Sequence, residues 1–206
     1  MYERGYAAAR GAMSLCVRPV FLTRRVGPYP ELPDGPVIVC ANHASYLDPL
    51  FVQMVLQRRI VFVMTNDFYS RPAGRWFFKL VGAIPVGAGR LARDGLERAI
   101  HLLRQGQSVG IFPEGRLSRD GRLGPPGRGV AIMSRMGHAP VLPLGIRGNL
   151  RAWPKGAAWM RRADVRIAAG PLLGPASGPT REAERGFARD SATRLLEQIQ
   201  PGVRFD

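Results

Sequence analysis

The chain has 206 residues and carries 30 Lys and Arg against 15 Asp and Glu, a formal net charge of +15 at pH 7. Such a length fits one domain with a substantial core, and so basic a balance points to an anionic partner, either a membrane surface or a nucleic acid. No apolar run approaches the roughly 18 residues of a bilayer span, and two cysteines without metal-ligand spacing, Cys16 and Cys40, exclude a disulfide framework.

Residues 2 to about 22 read as a helix, with Tyr2, Tyr6, Ala9, Met13, Cys16 and Val17 near one face. The opening residues do not lead into a continuous apolar core, so no secretory signal is expected. Together with the cationic stretch Arg18 to Arg25, residues 1–26 are expected to form an N-terminal amphipathic segment suited to a membrane interface. A helix packed on the domain fits equally well. A Pro-rich connector then opens the main domain, 27–206.

Strands and helices alternate from there. Apolar runs predict strands at 37–41, 60–64, 83–86, 108–112, 140–146 and 164–168. Between and after them, helices are predicted at 49–57, 71–81, 94–105, 128–137 and 180–199, with Leu96, Ile100 and Leu103, and later Leu195, Leu196 and Ile199, turned inward. This alternation implies an α/β class: a single-domain αβ sandwich on a largely parallel sheet.

Two turns carry the chemistry. Asn42-His43-Ala44-Ser45-Tyr46-Leu47-Asp48-Pro49 links the first predicted strand to the first predicted helix, and Pro is favoured in a first helical turn. His43 and Asp48 can therefore approach each other. A carboxylate on one imidazole nitrogen fixes the tautomer and leaves the other nitrogen to take a proton. The residues alone leave room for Asp48 or Ser45 as a helix cap, and for Ser45 as a nucleophile. The second turn, Phe112-Pro113-Glu114-Gly115-Arg116, stands at the end of another strand, with Arg119, Arg122 and Arg128 close behind. Guanidinium groups there suit a phosphate, although a local Glu114–Arg116 ion pair is an equally simple reading. Ligands in open α/β sheets collect at the carboxyl ends of strands, where both turns fall.

Together the two turns resemble the glycerolipid acyltransferases typified by 1-acyl-sn-glycerol-3-phosphate acyltransferase. Asn42, His43, Ser45 and Asp48 match the Asn-His-x-Ser-x-x-Asp motif, and Phe112 to Gly115 match Phe-Pro-Glu-Gly. Gly82 to Val86 with Arg90, and Ala139 to Gly145, resemble the two remaining blocks, in order, over about residues 36–148. Where the family often has Thr-Arg, this chain has Arg116-Leu117, and Gly87-Ala88-Gly89 precede Arg90.

The resemblance implies a glycerol-3-phosphate acyltransferase-like fold, with His43 as general base and Asp48 orienting it. It also implies that the acceptor and its phosphate are bound by Glu114, Gly115, Arg116 and Arg90. The donor would be acyl-CoA or acyl-acyl carrier protein, and the acceptor a lysophospholipid, foremost 1-acyl-sn-glycerol 3-phosphate. The product would be phosphatidic acid, made at the cytoplasmic face of the cell membrane by a peripheral or monotopic enzyme. No cofactor is implied, and no metal, since His101 and His138 have no ligand-like partners. Another lyso-lipid acceptor is the alternative within the class.

A basic nucleic-acid-binding module is the alternative outside it, argued by charge alone, as no helix carries a dense basic stripe. Aromatic and basic residues interleave at Arg71 to Lys79 and again at Trp153 to Arg162, which favours an anionic membrane surface as partner. Oligomeric state is not readable.

Overall fold

Four consecutive apolar residues with both faces covered explain the centre of the fold. Ile38–Ala41 is wholly buried, as expected of a parallel strand packed on two sides. A computed structural model describes residues 21–56, 58–65, 84–86 and 90–199, without the side chains of 65, 85, 86, 90, 91 and 199. In chain order the elements are β1 (Phe21–Val26), β2 (Ile38–Ala41), α1 (Asp48–Leu56), β3 (Ile60–Thr65), β4 (Ile84–Val86), α2 (Arg90–Arg104), β5 (Ser108–Ile111) and α3 (Gly129–Gly137), then β6 (Val141–Arg147), a short 3-10 turn (Asn149–Arg151), β7 (Ala163–Ala169) and α4 (Arg181–Ile199).

The strands form one sheet in the order β1-β7-β6-β2-β5-β3-β4. Every pairing is parallel except β6 with β7. Alternation along β2 divides the core. Val37, Val39 and Ala41 pack with Phe51 and Val52 of α1 and with Leu142 and Leu144. Ile38 and Cys40 pack on the other side with Ile100 and Leu103 of α2, Val130 and Met133 of α3, and Leu195 of α4. Burial, reinforced by Glu114, pushes the Cys40 thiol up to about 12, so it behaves as an inert core group. The αβ sandwich read from the sequence is therefore the architecture observed.

The N-terminal boundary differs. Phe21–Val26 was expected to belong to an amphipathic segment outside the domain; it is the sheet's edge strand, paired in parallel with β7 from Phe21↔Ala163 to Val26↔Ala168. Only Phe21 of this strand is fully buried, which is why its sequence lacks an alternating pattern. The expected N-terminal helix before it, and the aromatic helix at 71–81, lie outside the described residues. Helix α2 starts at Arg90, four residues earlier than its apolar spacing indicates.

One glycine links the sheet to the site. A Cβ on Gly110 would lie 2.4 Å from the Phe62 ring, so only glycine lets that ring cross β5. Phe62 in turn stacks on Phe112, with ring centres 5.4 Å apart.

Candidate active site

Strands β6, β2 and β5 lie side by side in the sheet. The segments leaving their carboxyl ends, at 148–151, 42–48 and 112–118, converge there. Asn42 fixes the first contact by acting as a surrogate strand residue: its side-chain amide donates to Ile146 O at 3.0 Å, and its carbonyl accepts from Ile146 N at 2.7 Å. The chain then turns back through Ser45. The Ser45 hydroxyl accepts from Leu47 N–H and donates to Trp153 O, and the residue is fully buried. Those bonds leave Ser45 a structural role and remove it as a nucleophile.

Asp48 opens α1, but its carboxylate reaches backwards into the turn. Oδ2 accepts from the backbone N–H of Ala44 and of Ser45, each at 2.8 Å, and stands 2.9 Å from His43 Nδ1. Oδ1 accepts from Asn149 Nδ2 at 2.9 Å. Asp48 is fully buried. Since the backbone groups can only donate, the carboxylate serves as acceptor throughout, and His43 Nδ1 is the protonated nitrogen. In the neutral imidazole Nε2 then carries the lone pair, on a ring that is 18% exposed. The His43 ring lies flat on Phe112, with centres 3.9 Å apart and planes 10° from parallel.

The main chain of His43 is held just as firmly. Its N–H donates to Glu114 Oε1 at 3.1 Å, and its carbonyl accepts from Ser118 N–H at 2.7 Å. Glu114 gets its position from a Pro–Gly turn closed by Gly115 N–H to Phe112 O, with Gly115 at φ 64. Burial pushes the Glu114 carboxyl up to about 7, against the pull of hydrogen bonds from the His43 and Gly124 backbone. Glu114 thus braces the turn that carries His43. The N–H groups from His43 to Asp48 all have partners within the protein, so the turn offers no free backbone donor to an oxyanion.

Beside this pair lies a cavity of about 510 Å³ lined by Glu114, Arg116, Ser118, Arg119, Arg122 and Lys155, among others. His43 does not line it; Glu114 is the link between the two. Asp120 also lines the cavity, 3.9 Å from Arg122, while Arg116, Arg119 and Lys155 form no ion pair among the described residues. Arg128, grouped with them from its sequence position, is instead committed to Glu184 of α4 at 2.7 Å. Arg90 stands at the start of α2 with its side chain outside the described residues. His138 ends α3 in the left-handed conformation, and His101 is exposed on α2.

Sequence reasoning missed Asn149 and Lys155. Asn149 comes 101 residues after Asp48; its only local signal is a polar residue two positions after a buried strand. Lys155 is one of two lysines in the chain, noted in an aromatic-basic stretch without its place beside the arginine loop.

A buried carboxylate bonded to an imidazole, with a cavity lined by Arg116, Arg119, Arg122 and Lys155 beside it, lies at the carboxyl ends of adjacent strands. Residues 24–147 match the Acyltransferase family, and the chain belongs to it. It is 31% identical over 137 residues to a chloroplastic 1-acyl-sn-glycerol-3-phosphate acyltransferase of Brassica napus, covering 65% of this chain and 40% of the relative. The corresponding enzyme of Bacillus subtilis is 27% identical over 117 residues, 56% of this chain and 57% of that one. The chain therefore spans only about two fifths to three fifths of these relatives. Among solved structures, the 1-acyl-sn-glycerophosphate acyltransferase PlsC of Thermotoga maritima superposes with a TM-score of 0.71 at 22% identity, over 98% of this chain and 87% of that one. Asn149 and Lys155 lie beyond the family match. No described helix is long and apolar enough to cross a membrane.

Proposed function

We propose that the protein is an O-acyltransferase moving a fatty acyl group from a thioester, acyl-CoA or acyl-acyl carrier protein, to a lysophospholipid hydroxyl. The favoured acceptor is 1-acyl-sn-glycerol 3-phosphate and the product phosphatidic acid. The observation that carries this reading is the anchoring of Asp48, which leaves His43 Nε2 as the free base. His43 removes the acceptor hydroxyl proton as that oxygen attacks the thioester carbonyl carbon. The tetrahedral intermediate collapses with loss of the C–S bond, and the imidazolium returns its proton to the leaving sulfur. Asp48 stabilises the imidazolium while it lasts. No acyl-enzyme forms, since the acceptor oxygen is the nucleophile.

The acceptor phosphate binds in the cationic cavity, with Arg116 as its principal ligand; Arg90 is given the same task by the family resemblance alone. Gly115 lets the chain pass close to the headgroup, and Glu114 holds the base in register. The acceptor is lipid, so the enzyme works against an anionic membrane surface, on the cytoplasmic side where thioesters are made. The test is thiol release and product formation from acyl-CoA and, in parallel, acyl-acyl carrier protein, with lysophosphatidate, lysophosphatidylcholine and glycerol 3-phosphate as acceptors. Lysophosphatidate is the expected acceptor, and Arg116→Gln is expected to raise its KM about 10- to 100-fold, the value of a charge-assisted hydrogen-bond pair. No product with any donor and acceptor would overturn the reading.

A further inference from the structure

The segment after β6 closes on itself. Arg161 N–H donates to Ala152 O at 2.8 Å, making a compact loop over residues 152–161, and Ala157 N–H donates to Pro154 O inside it. The loop carries two tryptophans with opposite fates. Trp153 turns in: its carbonyl accepts from Tyr46 N–H at 3.1 Å, its ring meets Tyr46 edge-on, and its indole N–H donates to Ala157 O. Trp159 turns out and is 82% exposed, with Met160 at 54% beside it. Arg151, Lys155, Arg161 and Arg162 are also exposed, and no acidic residue lies between Asn149 and Ala163.

Isolated apolar side chains on a surface are ordinary, but an exposed indole and thioether side by side on a closed loop, with four exposed cations in the same segment, match one surface chemistry. Indole rings prefer the headgroup depth of a bilayer, and basic residues gain from anionic lipids. We infer that loop 152–161 is a membrane-docking element, with Trp159 and Met160 entering the interface of an anionic bilayer and the adjoining cations on its headgroups. The inference rests on the lipid acyl-transfer reading for its purpose. The loop is fastened at Trp153 to the turn bearing His43, and Lys155 lines the cavity. Docking the loop therefore holds the cavity that Lys155 lines near the surface that carries the lipid acceptor.

The test uses vesicles of phosphatidylcholine with equal phosphatidylglycerol, with and without brominated acyl chains, and needs no substrate. The emission difference between wild type and Trp159→Phe reports Trp159 alone. The expected result is a blue shift on these vesicles and quenching by the brominated chains, both weak on pure phosphatidylcholine. Arg161→Gln/Arg162→Gln is expected to weaken vesicle binding roughly 30-fold at low salt. A Trp159 signal that stays unshifted and unquenched while the protein sediments with vesicles would overturn the inference. So would a concentration-dependent shift without lipid, which would put a second copy on the loop. Activity separates the two readings: Trp159→Ser/Met160→Ser should lose turnover on vesicle-borne acceptor and keep it on a short-chain, monomeric one. Quenching in a protein that transfers no acyl group would leave the docking loop standing and remove the acyltransferase reading.

Discussion

Glu114→Gln isolates a titration that the fold makes unfavourable. The carboxyl rises from an ordinary 4.5 to about 7, chiefly through burial. The folded chain therefore holds this proton more tightly than the unfolded chain, so the group's contribution to stability is fully present below pH 4.5. It is lost as pH rises through about 7, and the penalty stays constant above that. A displacement of that size is worth at most about 3 kcal/mol; access of water from the cavity reduces it to roughly 2 kcal/mol. Glutamine keeps an acceptor oxygen for the His43 N–H but has no charge to desolvate. The Tm of Glu114→Gln minus that of wild type should therefore climb between pH 4.5 and 7.5, by about 4–8 °C for a chain of this size, and then level off. Differential scanning fluorimetry of both proteins across that range makes the measurement. A difference that does not change with pH would refute the burial argument. A difference that falls would mean that the two backbone hydrogen bonds outweigh desolvation.

Two further substitutions test how the site is built. Asn149→Ala removes the donor on Asp48 Oδ1 and leaves a buried carboxylate oxygen unpartnered; the expected cost is about 2 kcal/mol in denaturant unfolding, with kcat reduced and KM for the acceptor unchanged. Gly110→Ala forces the Phe62 ring off β5 and should cost about 1–3 kcal/mol. It should also lower kcat, because Phe62 supports the Phe112 ring on which His43 rests. An Asn149→Ala protein that loses acceptor affinity instead of kcat would reassign that residue to binding.

What could be read from the sequence was what the chain keeps local. His43 and Asp48 are five residues apart, and one strand-to-helix turn is enough to join them; the Pro–Gly turn likewise declares where Glu114 stands. The buried strands were legible because parallel strands covered on both faces need continuous apolar runs, as β2 and β6 show. The edge strand β1 was not, since water covers most of it and Arg24 and Arg25 interrupt the pattern. Contacts between distant segments were equally hidden. Nothing near Asn149 announces its bond to Asp48, and the ion pair of Arg128 with Glu184 spans 56 residues. The second removes from the phosphate group an arginine that sequence proximity had placed in it.

The central claim is that His43, held by Asp48, is the base for acyl transfer to a lyso-lipid hydroxyl. The most direct measurement compares the single-turnover rate of transfer from a labelled acyl thioester to lysophosphatidate in wild type, His43→Ala and Asp48→Asn, each checked for an intact fold by circular dichroism. The account predicts a loss of about 10²–10⁴-fold in His43→Ala and a smaller loss in Asp48→Asn, with acceptor binding retained. A folded His43→Ala protein transferring acyl groups near the wild-type rate would contradict it.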